Sequence, residues 1–172
     1  MKKINIRKMT LTAMFAAIAI VGSTFSVPVA GSKCAPIQHL INVLCAIFLG
    51  PWYGLAQAFI ASTIRNLLGL GTPLAFPGSM CGALLSGLLF RGLKNRWAAY
   101  GGEIFGTGII GGLLAYPVAA FIMGNTAATL LMFVVPFLIS TVGGSILAMI
   151  LCESLAGSGL LMRLQGQLDT TG

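Results

Sequence analysis

Charged side chains are too few in this chain to coat a water-soluble particle. Three acidic and ten basic residues are spread over 172 positions, 8% of the total, while hydrophobic residues make up 57%. A soluble domain of average composition carries about 25% charged residues, and a disordered chain carries far less apolar surface than this one. Glycine spacing excludes a collagen-like chain, and four cysteines are too few for a disulfide scaffold. With a mean hydropathy of +0.97, the class that remains is an integral membrane protein.

A helix crossing about 30 Å of hydrocarbon needs roughly 20 apolar residues. Six segments are candidates, at about 9–28, 36–50, 52–70, 77–93, 99–122 and 128–153, within one membrane domain over 1–172. Pro28 and Pro36, the Gly50-Pro51 pair, the stretch from Gly69 to Pro77, Gly101-Gly102 and Gly124 separate them. The second and fourth are short for full spans and must extend into loops or lean on neighbours. None shows the ten-residue alternation of a membrane barrel. The expected fold is an all-α integral membrane protein, a bundle of six transmembrane helices.

Lys and Arg collect on the cytoplasmic side of membrane proteins. Lys2, Lys3, Arg7 and Lys8 precede the first span, and six spans put Arg91, Lys94, Arg96 and Arg163 on that same side. Lys33 alone falls opposite, and Arg65 lies inside the third span. Both termini are therefore expected in the cytoplasm. A cleaved signal peptide fits less well, because the apolar run continues to Val29 and Pro28-x-Ala30 is a poor cleavage site. The net charge of +7 orients the chain in the bilayer; no basic stripe interleaved with aromatics points to nucleic acid.

Polar groups inside a bilayer are costly and therefore informative. Lys33, Gln38, His39 and Asn42 straddle the outer end of the second span, with Gln38 and Asn42 one helical turn apart on one face. Arg65 and Asn66 lie near the outer end of the third. Glu103 opens the fifth span and Glu153 closes the sixth, so both are expected near the cytoplasm, paired with the basic loop. The outer half would then hold Lys33, His39 and Arg65 with no carboxylate. Two readings of Arg65 stay open: a cap on helix-end carbonyls that snorkels outward, or a ligand contact. For Gln38 and His39, interhelical hydrogen bonding competes with ligand contact. Trp52, Tyr53, Trp97 and Tyr100 are expected as interfacial anchors.

Enzyme chemistry finds little support. One histidine and three scattered acids provide no HExxH, no paired carboxylates and no metal-ligand cluster, and Cys34, Cys45, Cys81 and Cys152 form no CxxC. No cofactor is expected. An ATP-hydrolysing motif is also missing, so ATP-derived energy would have to come from another chain. Ala13-x-x-x-Ala17, Gly82-x-x-x-Ser86 and Gly108-x-x-x-Gly112 are small-xxx-small patterns, which pack helices inside a bundle or receive a helix from another subunit. A stand-alone secondary transporter or channel for a neutral or anionic solute is the competing reading; it would be expected to show internal repeats or a mid-membrane acid, and the sequence shows neither.

Taken together, the residues resemble the S components of energy-coupling-factor transporters, the small substrate-binding membrane subunits of vitamin importers. The basic N-terminus, Ala13-x-x-x-Ala17 and the run from Phe48 to Gly54 carry that resemblance. Within that group the chain is most similar to the ThiW family, through the stretches Gly31 to His39, Ser62 to Gly69 and Phe76 to Ser79. The resemblance implies a subunit of an ATP-driven importer in a prokaryotic cell membrane. It implies binding of a thiamine precursor, hydroxyethylthiazole, and partnership with a transmembrane T subunit and two ATP-binding subunits. Ala13 and Ala17 would touch the T subunit. The ligand would sit under the loops at about 29–36, 70–77 and 123–128, with Phe76 or Tyr116 packed on its ring and Lys33, Gln38, His39, Asn42, Arg65 and Asn66 supplying polar contacts. An acid-free vestibule would favour a neutral or anionic ligand over cationic thiamine.

Overall fold

The computed structural model describes residues 5–29 and 32–169; Lys2, Lys3 and Gly31 lie outside them. The helices are α1 (Ile6–Gly22), α2 (Pro36–Phe48), α3 (Pro51–Leu67), α4 (Ala75–Leu93), α5 (Arg96–Ile122), α6 (Val134–Gly157) and α7 (Leu160–Asp169). A two-stranded antiparallel hairpin, β1 (Val27–Val29) and β2 (Ser32–Cys34), joins α1 to α2, with Pro28 opposite Lys33. Helices α1 to α6 correspond to the six expected segments. Among the described residues, three helical stretches, Ile6–Phe25, α5 and α6, are long and apolar enough to cross a membrane by themselves.

The short second segment is explained by its position. α2 is the centre of the bundle, with every residue from Ile41 to Ile47 buried, and it packs against α1, α3, α4, α5 and α6. Packed on all sides, it is shielded from lipid and can carry Gln38, His39 and Asn42. At 13 residues it reaches only about 20 Å, too little to cross alone. Pro36 at its first turn costs no hydrogen bond there, and Gly50, with φ 91, allows the tight reversal into α3.

Small residues set how closely α4 and α5 approach. A Cβ on Gly111 would lie 2.6 Å from the Gly78 Cα, one on Gly106 2.8 Å from the Cys81 carbonyl, and one on Gly102 2.8 Å from the Ser86 Cα. The small residues of α4 at 78, 82 and 86 thus meet a matching row on α5, while Gly112 faces Val134 of α6. Such close backbone approach lets dispersion do the work that the hydrophobic effect cannot do in lipid. Ala13 and Ala17 behave differently: both are exposed on α1, whose Thr12, Ala16 and Ala19 face inward.

Both described ends of the chain lie at one end of the bundle. Asn5 donates to the Leu168 carbonyl at 3.3 Å, and Gln165 donates to the Ile47 carbonyl at 3.0 Å. Lys8, Arg91 and Lys94 line one groove at this basic end. Arg96 grips Glu153 through two bonds of 2.9 and 2.7 Å, so Glu153 does pair with the basic loop. The sixth segment starts later than expected. Asn125 and Gly124 (φ 67) turn the chain, and α6 begins only at Val134.

Candidate functional site

A narrow polar cavity lies at the opposite end from the basic groove. Its wall is drawn from β2 (Lys33), α2 (Gln38, His39), α3 (Arg65), the turn at Gly71 and Thr72, α4 (Ser79), α5 (Thr107) and α6 (Phe137, Ser140). The hairpin is tied down over it: the Ala35 amide donates to Ser140 Oγ at 2.9 Å, and Lys33 Nζ donates to the Gly69 carbonyl at 3.2 Å. The free space is about 40 Å³, room for a few waters but far below the roughly 300–1,000 Å³ of ligand pockets. A larger groove of about 880 Å³ lies under α1, α2, α6 and α7, but leucine and phenylalanine dominate its wall. Convergent polar groups, the mark of solute recognition, are at the smaller cavity.

Arg65 reaches this cavity because its helix end is capped by other means. The Leu70 and Gly71 amides both donate to the Arg65 carbonyl, at 2.9 and 3.0 Å, and the Gly69 amide donates to that of Asn66. With Gly69 at φ 71, this is a Schellman ending, in which backbone amides satisfy the last carbonyls. The helix-cap reading of Arg65 therefore falls. Its side chain is 3% exposed and turns inward, where Nη1 donates to Gln38 Oε1 at 3.0 Å. Its Nε has no partner among the described residues.

From Arg65 a directed series of hydrogen bonds runs down α2. A guanidinium can only donate, so Gln38 must turn its oxygen to Arg65 and its nitrogen to Asn42. Gln38 Nε2 approaches Asn42 Oδ1 at 3.5 Å, a long contact, and Asn42 Nδ2 donates to Glu103 Oε1 at 2.9 Å. His39 Nδ1 lies 2.8 Å from that same Oε1, and Thr107 Oγ1 lies 3.0 Å from it. Two amides thus join a buried cation to a buried carboxylate, neither of which touches the other.

The position of Glu103 corrects two expectations. It does not pair with the basic loop, and the level of His39 and Asn42 is not free of carboxylate. Glu103 is fully buried. It lies seven residues past Arg96, the first residue of α5, or about 10 Å along the helix. The expected start of this segment at about residue 99 left Glu103 at the membrane edge; the helix begins at Arg96, and its Glu103-x-x-x-Thr107 spacing puts two polar side chains on one inward face. Gly82 makes the room, since a Cβ there would lie 2.7 Å from Glu103 Oε2. That oxygen has no partner among the described residues.

The other expected site residues are dispersed. Lys33, Gln38, His39 and Arg65 line the cavity, and Asn42 lies behind it. Asn66 donates to the Ser62 carbonyl of its own helix at 2.8 Å. Phe76 stacks at a tilt on Phe59, with ring centroids 5.8 Å apart, and Tyr116 is half-buried; none of these three is on the cavity wall. Ser79, named only as the end of the Phe76 to Ser79 stretch, is on it, as are Thr107, Phe137 and Ser140; serine and threonine in an apolar helix carry no sequence signal that separates a cavity wall from a backbone contact.

Long apolar helices packed through glycine, with a polar cavity closed beneath a hairpin at one end, define a small multi-pass membrane protein. The family-level match agrees. The chain belongs to the ThiW family, described as thiamine-precursor transporter proteins, whose model matches residues 9–158. No curated protein and no solved structure matches the chain.

Proposed function

We propose that this chain is the solute-binding membrane subunit of an ATP-driven importer of the energy-coupling-factor type, taking up hydroxyethylthiazole across a prokaryotic cell membrane. In this reading six helices cross the bilayer, both termini are cytoplasmic, the cavity faces outward, and a T subunit with two ATP-binding subunits supplies the energy. One observation supports the charge class of the ligand: Lys33 and Arg65 line the cavity and, among the described residues, no carboxylate does, Glu103 being held behind His39. Such a wall suits a neutral or anionic solute and disfavours permanently cationic thiamine. Lys33, Gln38, His39 and Arg65 contact the ligand, with Asn42 in support. The cavity as it stands is too small for the ring, so the hairpin and the Gly69–Leu74 turn must part to admit it; Asn66, Phe76 and Tyr116 join only in that opened state. Calorimetry on the purified protein tests this: hydroxyethylthiazole binds more tightly than thiamine, and the reverse order refutes the assignment.

A stand-alone secondary transporter draws support from the buried Glu103, because an intramembrane acid is the usual carrier of coupled protons. Vesicles containing only this chain distinguish the two. Uptake that requires added partner subunits and ATP supports the importer, and accumulation driven by a proton gradient alone supports the alternative.

A further inference from the structure

We infer that Glu103 is a positioning residue that locks His39 into one tautomer, with Nδ1 protonated and Nε2 bare, so that the cavity offers an imidazole nitrogen as an acceptor beside its two cations. Three side chains converge on Glu103 Oε1: His39 Nδ1 at 2.8 Å, Asn42 Nδ2 at 2.9 Å and Thr107 Oγ1 at 3.0 Å. The amide of Asn42 cannot present its oxygen there, because its Nδ2 also donates to the Ser79 backbone carbonyl at 3.2 Å, a group that can only accept. Oε1 is therefore an acceptor, and Nδ1 must bring the proton. A carboxylate behind an imidazole fixes ring orientation and tautomer in this way at many sites. Nε2 is then the ring's remaining polar atom, on a residue that lines the cavity. Arg65 and Lys33 can only donate, so Nε2 selects a solute bearing a hydroxyl or N–H donor.

The identity of that solute rests on the reading above; the tautomer does not. The chain contains one histidine, so protein labelled with ¹⁵N only at histidine yields the spectrum of His39 alone. The expected spectrum shows a protonated Nδ1 and a bare, pyridine-like Nε2. Either the opposite tautomer or an imidazolium overturns the inference, and this measurement on the unaltered protein needs no variant to fold. The second arm compares hydroxyethylthiazole with 5-ethyl-4-methylthiazole, which lacks only the hydroxyl. The unaltered protein is expected to prefer the alcohol about tenfold. Glu103→Leu, which fills similar space without an acceptor, abolishes that preference, and Glu103→Gln, whose amide oxygen still accepts, restores it. Equal binding of the two compounds by the unaltered protein, or full preference in Glu103→Leu, overturns the inference and leaves the thiazole reading standing. Failure to bind either compound overturns the thiazole reading and leaves the tautomer to the spectrum.

Discussion

Arg65 Nη1 donates to Gln38 Oε1 across 3.0 Å, a bond between the last turn of α3 and the first turns of α2. It orients an amide that in turn orients Asn42, and through Asn42 it reaches Glu103. Linked polar groups in a low-dielectric interior reinforce one another, and the loss of one leaves its neighbour unpaired at a cost.

Arg65→Ala is expected to weaken hydroxyethylthiazole binding by tenfold or more, the scale of a charge-assisted hydrogen bond of about 1.5–3 kcal/mol. Unfolding is affected less, because the helix end stays capped by the Leu70 and Gly71 amides and the cavity gives water access to Gln38. Arg65→Lys does not restore affinity, since an ammonium lacks the planar fork that can bond Gln38 and a ligand together. Calorimetry set beside thermal unfolding checks this; unchanged affinity in a well-folded variant removes Arg65 from the site.

Gly82→Ala is expected to destabilise the protein by about 1–3 kcal/mol, as overpacking does, because the new Cβ would lie 2.7 Å from Glu103 Oε2. Gly92→Ala at the end of α4 is the control. A Cβ there meets nothing within 4 Å, so its melting temperature stays the same or rises slightly. Equal melting temperatures for both variants would contradict the tight α4–α5 contact.

Arg96→Ala is expected to cost no more than about 1 kcal/mol despite its two short bonds to Glu153, since exposed ion pairs are screened by solvent and salt. The side chains of Arg96 and Glu153 are 34% and 37% exposed. Ligand affinity stays unchanged, because the pair lies at the basic end. Thermal unfolding at low and high salt should show the difference between variant and parent shrinking as salt rises.

Ala17→Leu is expected to leave folding and ligand binding intact, because Ala17 is exposed on α1. Energised uptake by the complete transporter falls sharply if that face receives a partner helix, since close approach needs small side chains. Normal uptake by the variant would free Ala13 and Ala17 from any docking role.

Scarcity of charge and the lengths of the apolar runs were enough to establish an all-helical membrane protein, because a bilayer penalises polar groups whatever the chain does elsewhere. Gln38, His39 and Asn42 could be picked out the same way, as polar side chains in an apolar helix. What lay beyond reach was how far each helix slides past its neighbours. A start three residues earlier moves Glu103 from the membrane edge to the partner of His39, and a Schellman turn at Gly69 releases Arg65 from capping to bond Gln38. Such pairings depend on contacts between residues far apart in the chain, set by packing that glycine and alanine permit but do not announce.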